Sequence, residues 1–381
     1  MKVYLDYNAT TPVDPEVFAA MVPFLQEEYG NPSSTHWLGI EAKKAVDNAR
    51  QQVADLLGCD PDEVVFTSGG SESDNYAIRG AALMRRAGGK GDHLITCAVE
   101  HPAVLNTCRY LERQGFKVTY LPVDRYGMVD PGDVQRAVTD RTSLISIMHA
   151  NNEVGTLQPL EAIGEIARKR NICFHTDAAQ STGKVATYVD ELGVDLLTVA
   201  GHKLYAPKGV GALYIRRGTR LEPLIYGAGH EGGRRAGTEN VAGIVGLGKA
   251  CELAAKNLAV DAKRIKALRD RLHQRLLTSV GSEKLVLNGH PEKRLPNTLN
   301  VSFLGVEGGA LLDRTPDLAA STGSACHAGH TEASPVLSAI GAAPEVALGA
   351  VRLSLGRFTT EAEVDYAADC LIKAYHAEAP S

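Results

Sequence analysis

The chain has 381 residues, 44% of them apolar, and a formal net charge of −5 from 40 basic and 45 acidic residues. This length suffices for a large and a smaller domain, and no long block of one charge sign suggests a nucleic acid or an anionic membrane as partner. No apolar run approaches the roughly 20 residues of a membrane span, and the first residues lack the plan of a signal peptide. The seven scattered cysteines include no C-x-x-C pair, which favours free thiols in a reducing compartment, and we expect a cytoplasmic protein.

The amino-terminal part of the chain predicts a short arm and two helices. Residues 1–12 indicate a short strand or extended arm, and Asp14 is a suitable N-cap for the helix that follows. A second amphipathic helix, from about Ile40 to Leu57, should end at Gly58. The segment VVFTSGGSESDNYAIRG (64–80) then predicts a strand, a Gly/Ser turn and a helix.

Short apolar segments then alternate with segments of helical period. We expect strands in HLITCAV, FKVTYLPV, SLISIMH, CFHTDAA and DLLTVA. Such a series is typical of βαβ units with a mainly parallel sheet that is covered on both faces, so the predicted fold class is α/β. A long helical region from about Val241 to Ser279 precedes a smaller α+β domain. We place the domain boundary inside that helix, with residues 15–255 in the large domain and residues 1–14 and 256–381 in the small one.

Lys203 lies between an apolar strand and a Pro/Gly turn in LTVAGHKLYAPKGVGALY (197–214). A desolvated lysine has a lowered pKa, and its neutral amine can form a Schiff base with an aldehyde. Most lysines beside such turns are solvated surface charges. The segment alone therefore favours a surface lysine, and other residues must decide.

The turn TSGGSES (67–73) lies between a strand and the N-terminus of a helix. Free backbone amides, the helix dipole and hydroxyl groups converge there, which suits a phosphate. The segment is neither a P-loop nor a G-x-G-x-x-G motif. Taken alone, it is also consistent with an ordinary capped turn.

Polar residues follow three further strands of the predicted sheet. His101 follows the strand at HLITCAV, Asn152 follows SLISIMH, and Asp177 and Gln180 lie in HTDAAQ. The carboxyl ends of parallel strands share one edge, where ligands bind. An aspartate there can pair with a protonated ring nitrogen, although Asp177 alone is also typical of a helix N-cap and a lone histidine is usually structural. A phosphate cup, an imidazole, a carboxylate and a Schiff-base lysine together are the parts that hold pyridoxal 5′-phosphate (PLP).

Longer segments resemble the NifS/IscS-type cysteine desulfurases, which are fold-type I PLP enzymes of the class-V aminotransferase group. The resemblance covers nearly the whole chain and rests on LDYNATTP (5–12), TDAAQS (176–181), GHKLYAPKG (201–209), GHEGGRRAGTEN (229–240), PNTLNVSF (296–303), TGSAC (322–326) and AVRLSLGRFTT (350–360). It implies a mainly parallel, seven-stranded type of sheet between helices, and a homodimer.

The resemblance also implies a role for each matching residue at the cofactor ring. Lys203 would hold PLP as a Schiff base, and Asp177 would pair with the pyridine nitrogen. Gln180 would form a hydrogen bond with the phenolic oxygen, while His101 would stack on the ring and move protons.

Further roles implied by the resemblance concern the phosphate and the substrate. The phosphate would be bound by Gly70, Ser71 and His202, with Thr238 contributed by the neighbouring subunit. The substrate carboxylate would be held by Asn152 and Arg352.

Cys326 lies in ASTGSACHAGHTEASP (320–335), whose composition is typical of a loop. The resemblance makes it the nucleophile that forms a persulfide, and His327 or His330 could lower the pKa of its thiol. One alternative is a buried apolar cysteine. Another is a metal site of Cys326, His327 and His330, but the sequence offers no second cluster at zinc spacing, and we expect no metal.

Two departures from the common family pattern concern substrate choice and cofactor binding. Ala200 replaces a serine of the phosphate cup, and one lost charge-assisted hydrogen bond costs about 1.5–3 kcal/mol unless another donor substitutes.

LTVA before GHK and SPVL after the ACH segment also resemble selenocysteine lyases, whereas Pro102 stands where selenocysteine-selective members carry an acidic residue. The family's scaffold-binding members have a longer tail after the residues matching AEAPS, so the sequence leaves open whether an iron–sulfur scaffold receives the sulfur.

The sequence thus predicts a PLP-dependent enzyme that converts L-cysteine to L-alanine and forms a persulfide on Cys326 for an unidentified sulfur-acceptor protein. The nearest alternative is a selenocysteine lyase on the same scaffold. An aminotransferase or a β-eliminating C–S lyase is more distant, and a catalytically silent PLP-fold protein is disfavoured because Lys203, Asp177, His101 and Cys326 are all present.

Overall fold

The computed structural model describes residues 1–322 and 334–378. In chain order, the helices of this part are α1 (Pro15–Gln26), α2 (Trp37–Leu57), α3 (Gly70–Ala87), α4 (Pro102–Arg113), α5 (Pro131–Ala137), α6 (Leu160–Arg170), α7 (Val189–Leu192), α8 (Val241–Val280), α9 (Gly308–Asp313), α10 (Pro335–Ala339), α11 (Pro344–Leu348) and α12 (Glu361–Glu378). The strands are β1 (Val3–Tyr4), β2 (Val64–Thr67), β3 (His93–Cys97), β4 (Lys117–Leu121), β5 (Thr142–Ser146), β6 (Cys173–Asp177), β7 (Leu196–Ala200), β8 (Gly211–Ile215), β9 (Leu285–Leu287), β10 (Thr298–Phe303), β11 (Leu318–Ala319) and β12 (Ala350–Ser354). Strands and helices alternate from β2 to β7, as the sequence predicts.

Local sequence signals set the ends of the first two helices. The Asp14 side chain accepts a hydrogen bond from the backbone N–H of Glu16 at 2.9 Å and caps α1. Gly58 ends α2 with a positive φ of 67°, which a residue without Cβ adopts at little cost. No helix in the described ranges is both long and apolar enough to cross a membrane.

A seven-stranded sheet has the order β2-β8-β7-β6-β5-β3-β4. Strand β8 is antiparallel to both of its neighbours, and all other neighbouring pairs are parallel. The direction of β8 has a simple cause: residues 201–210 are too few for the crossover of about a dozen residues that a parallel strand needs. The α/β fold with a mainly parallel sheet is therefore confirmed.

Both faces of this sheet are covered by helices. Successive strand residues point to opposite faces, and on β3 both Leu94 and Ile95 are buried. Leu94 packs in a cluster with residues of α3 and α4. Ile95 packs in a larger cluster with residues of α2 and of the first half of α8. The polar residues at the strand ends consequently sit on a rigid apolar layer.

A separate cluster of buried residues joins the start of the chain to its last third. It contains Val3, Leu5, the second half of α8 from Ile265, and residues of β10, β12 and α12. Here β1 pairs in parallel with β11, and β10 lies between β12 and β9 in an antiparallel sheet. On α8 the larger cluster ends at Ala254. This separation supports the proposed division into residues 15–255 and residues 1–14 with 256–381, although Val336 and Ala350 pack with the large domain.

Candidate active site

A cavity of about 700 Å³ lies where the carboxyl ends of the parallel strands meet the amino-terminal arm and β12. Its lining brings together the predicted residues Gly70, Ser71, His101, Asn152, Asp177, Gln180, His202, Lys203 and Arg352. These residues come from distant parts of the chain. Their convergence follows from the sheet, because parallel strands end at the same edge.

Lys203 ends a short 3₁₀ turn, Gly201–Lys203, that directly follows β7. Its Nζ atom donates to the backbone oxygens of Asn8 at 2.7 Å and Ala9 at 2.6 Å. Burial and the nearby charge of Arg352 lower the pKa of Lys203 to about 8. A considerable fraction of its amine is therefore neutral near pH 8, as attack on an aldehyde requires.

Asp177 is the last residue of β6 and is only 7% exposed. One of its carboxylate oxygens accepts from the backbone N–H of Ala179 at 2.8 Å. Atoms of Asp177, Asp74 and His101 that could bind a cation or a ring lie within 4.8 Å of one another. Burial raises the pKa of Asp177, while the Ala179 N–H and the charges of His101 and Lys203 oppose this rise. Asp177 can thus carry negative charge toward the cavity.

The turn between β2 and α3 presents the amino end of a helix of 18 residues to the cavity. Gly69 has a φ of 148°, a conformation that favours glycine, and Gly70 begins the helix. A Cβ atom on Gly70 would lie 3.2 Å from the Cβ of Ala200, so the turn packs closely on the end of β7. The N–H groups of the first helical turn make this a suitable phosphate site.

His202 borders the same region of the cavity. Its Nδ1 atom lies 3.2 Å from Oγ1 of Thr10 in the amino-terminal arm. Burial and the charges of three lysines lower the pKa of His202 to about 4, with Lys203 the strongest of the three. The ring is therefore neutral at physiological pH and can donate one hydrogen bond to an anion.

Arg352 projects from β12 into the cavity and is 6% exposed. Its Nη2 atom lies 2.8 Å from Oδ1 of Asp6, and its Nη1 atom donates to the backbone oxygen of Asn152 at 3.2 Å. Within the described residues, its Nε atom is buried without a hydrogen-bond partner. A buried N–H of this kind favours a further acceptor such as a carboxylate.

The residues of the cavity fit PLP. The lysine amine suits the aldehyde of that cofactor, and the amino end of the helix suits its phosphate. The buried carboxylate suits the ring nitrogen, and the imidazole beside it suits the face of the ring. The cluster of Asp74, His101 and Asp177 is also a possible metal-ligand set. Its place at the cavity wall next to Lys203 favours the cofactor ring instead.

Two predicted site residues are not part of this lining. Thr238 borders a neighbouring cavity of about 210 Å³, which shares Ser68, Gly209 and Val210 with the main one. Cys326 lies outside the described residues. His327 and His330, the proposed neighbours of its thiol, lie outside them as well.

Sequence reasoning missed three residues of the site. Asp6 and Asn8 stand in the segment LDYNATTP, which contributed to the resemblance but received no role. Asp74 is the one charged residue among the buried residues of α3. An acidic residue among them was the available signal.

Comparison with known proteins places the chain in a family. Residues 3–367 match the model for aminotransferase class-V. The chain is 50% identical over 372 residues to cysteine desulfurase IscS of Dictyoglomus turgidum, covering 97% of this chain and 93% of that protein. It is 52% identical over 365 residues to cysteine desulfurase IscS of Methanosarcina thermophila, covering 95% of this chain and 89% of that protein. A solved NifS-like protein superposes with a TM-score of 0.91 at 40% identity and 99% coverage of both chains. The chain therefore belongs to the class-V aminotransferase family of PLP-dependent enzymes, within its NifS/IscS-type cysteine desulfurases.

Proposed function

We propose that this enzyme converts L-cysteine to L-alanine with PLP attached to Lys203 and collects the sulfur on Cys326 as a persulfide. The observation that carries the proposal is the convergence of Lys203, Asp177 and the amino end of α3 on one cavity. The two relatives that are 50% and 52% identical to this chain are named cysteine desulfurase, which favours cysteine over selenocysteine as the substrate.

PLP supplies an aldehyde that attaches to amines and a ring that withdraws electrons from the substrate Cα. Asp177 holds the proton on the ring nitrogen through its negative charge. Lys203 would hold the cofactor through its amine, and the same amine, whose pKa is lowered to about 8, would take the Cα proton of the substrate. His101, whose ring nitrogen lies within 4.8 Å of a carboxylate oxygen of Asp177, would stack on the ring of the cofactor and return a proton to the product.

Phosphate binding is assigned to the amides of Gly70 and Ser71 and to the ring of His202. Gln180, which lines the same cavity, donates to the phenolic oxygen. Arg352 and the Asn152 side chain hold the substrate carboxylate, and the Asp6 contact keeps the guanidinium in place for this task.

Sulfur transfer is assigned to Cys326 by the resemblance of TGSAC to the family motif. The thiolate of Cys326 attacks the substrate Sγ, so an S–S bond forms while the Cβ–Sγ bond breaks. The electron pair of the broken bond stays on carbon, which takes up protons and leaves as alanine. The persulfide then passes to a sulfur-acceptor protein.

A homodimer is part of the proposal, with Thr238 reaching the phosphate of the other subunit. Four large apolar side chains between residues 18 and 37 are 59–73% exposed in the single chain, namely Phe18, Leu25, Tyr29 and Trp37. Large exposed apolar side chains this close together along the chain favour an interface that another protein surface covers. The scattered cysteines support a cytoplasmic setting.

The test supplies cysteine and selenocysteine separately, quantifies alanine, and searches by intact mass for a sulfur adduct. We expect alanine from cysteine and an adduct that maps to Cys326. Cys326→Ala should lose both while keeping the cofactor, whereas Cys370→Ala, a half-buried thiol of α12, should behave like the wild type. Full desulfurase activity of Cys326→Ala would refute the persulfide step, and much faster turnover of selenocysteine would favour the lyase.

A further inference from the structure

Lys184 lies four residues after Gln180, in the segment that follows β6. Its Nζ atom donates to Oε1 of Gln180 at 3.0 Å. Lys184 is partly buried, and burial together with the charges of Lys203 and Arg352 lowers its pKa to about 7. A cation in a partly buried position costs folding free energy, so we expect Lys184 to have a functional role.

The amide of Gln180 is held from two sides by groups of opposite character. Its Nε2 atom donates to the backbone oxygen of Asn8 at 2.9 Å. A carbonyl oxygen only accepts hydrogen bonds, whereas the lysine amine has N–H groups to donate whether it is charged or neutral. Rotating the amide by half a turn would place oxygen against oxygen and N–H against N–H, so both contacts fix the same orientation.

This orientation decides what Gln180 offers to the cavity. Gln180 is 6% exposed and lines the cavity. One proton of Nε2 goes to Asn8, whose oxygen also accepts from Lys203 at 2.7 Å. The nitrogen carries a second proton, so Gln180 presents a donor beside the lysine that binds the cofactor.

We propose that Lys184 is a positioning residue that holds the Gln180 amide with its nitrogen toward the cavity, so that Gln180 donates to the phenolic oxygen of PLP. The inference rests on the proposed function of Lys203 and Gln180. It adds a residue that does not line the cavity and acts through Gln180.

The experiment measures the absorbance of the PLP-loaded protein as a function of pH, together with the dissociation constant of PLP. In Lys184→Met, we expect the midpoint of the absorbance change to rise by about half a unit to one unit, because a firmly held donor to the phenolic oxygen favours its deprotonated form. Lys184→Arg keeps a charged donor and should return the midpoint toward the wild-type value. Lys184→Gln, which offers either a donor or an acceptor, should give an intermediate midpoint and serves if the methionine variant does not fold.

Two controls separate positioning from a general effect. Lys249→Met removes a lysine of α8 that pairs with Glu16 and Glu252 outside the cavity lining, and its midpoint should equal that of the wild type. In the double variant Lys184→Met/Gln180→Ala, the midpoint should match that of Gln180→Ala alone, because a residue that acts through Gln180 adds nothing once Gln180 is gone.

An unchanged midpoint and an unchanged PLP dissociation constant in Lys184→Met would overturn the proposal, and so would additive effects in the double variant. Wild-type alanine formation from cysteine is measured in parallel. If the wild type binds PLP but forms no alanine, the desulfurase assignment fails, while a midpoint shift in Lys184→Met still supports the positioning role.

Discussion

The carboxylate oxygens of Asp74 and Asp177 lie within 4.8 Å of each other, and both side chains line the cavity while being almost completely buried. Two buried carboxylates this close cannot both be ionised at low cost. Burial raises the pKa of Asp74 well above its usual value, and the charge of Asp177 raises it further. Asp177 has the Ala179 N–H and the nearby charge of Lys203 to support its ionised form. Of the two carboxyl groups, Asp74 therefore holds a proton more readily and Asp177 carries negative charge more readily.

We predict that Asp74→Asn stabilises the cofactor-free protein increasingly as the pH rises. A carboxyl group with a raised pKa in the folded state contributes stability that is fully present below its unfolded pKa, near 3.8, and is lost as the pH rises through the folded pKa. The asparagine variant is neutral at every pH and avoids this loss. Thermal unfolding midpoints of both proteins between about pH 5 and 8 test the prediction.

A control of opposite sign is available at Asp365. Arg271 and Arg275 hold the pKa of this carboxyl well below its usual range, so Asp365→Asn should lose stability relative to the wild type above about pH 4. Parallel curves for Asp74→Asn and the wild type would show that Asp74 is not protonated in the folded state.

Attachment of PLP to the cofactor-free protein should depend on pH with a midpoint near that of Lys203. The pKa of Lys203 is lowered to about 8, so about a tenth of its amine is neutral at pH 7, against less than about one part in a thousand for an ordinary lysine. Stopped-flow absorbance after mixing with PLP should show a rate that rises with pH and levels off above about pH 9. Lys203→Ala should show no attachment, and a rate still rising at about pH 10 would contradict the lowered pKa.

Ala200→Ser should strengthen PLP binding. The Cβ of Ala200 faces the start of α3 near Gly70, and a hydroxyl there adds a donor to a phosphate. One charge-assisted hydrogen bond contributes about 1.5–3 kcal/mol, equivalent to a roughly tenfold to hundredfold lower dissociation constant. Ala200→Cys has a similar size with a weak donor and should gain much less. Equal dissociation constants for the serine variant and the wild type would show that another group already serves the phosphate.

Glu231→Gln should destabilise the protein by about 3 kcal/mol, because it breaks a mostly buried ion pair. Both oxygens of Glu231 lie 2.7 Å from the guanidinium of Arg50, and one also accepts from the backbone N–H of Phe66 at 2.9 Å. These contacts tie the segment 229–240, which carries Thr238, to β2. Urea unfolding measures the effect, and Glu165→Gln, which breaks an exposed pair with Lys169, should cost less than about 1 kcal/mol. Equal costs for the two variants would refute the structural role.

Most of the fold could be predicted from local patterns. Apolar runs and helical periods describe elements that form from neighbouring residues, and Asp14 and Gly58 mark helix ends through their own side chain or backbone. The edge shared by His101, Asp177 and Lys203 followed from the same reasoning, since the ends of parallel strands must meet. These predictions needed no knowledge of distant contacts.

The parts that could not be predicted depend on residues far apart in the chain. The contact of Lys203 with Asn8 spans 195 residues, and that of Arg352 with Asp6 spans 346. No periodicity encodes such pairs, because they form only when the small domain folds back on the large one. The same holds for the orientation of Gln180, which depends on Asn8 as well as on Lys184.

The amino-terminal arm has a consequence for the order in which the enzyme is completed on the ribosome. Asn8 is synthesised long before its partners, because its backbone N–H bonds to Ser354, 346 residues further along the chain, and its side chain to Thr298, 290 residues further along. The wall that touches Lys203 therefore closes only after β10 and β12 have been synthesised. A nascent chain stalled before β12 would lack Ser354 and the cavity residue Arg352, so we expect the cofactor to be captured late in synthesis.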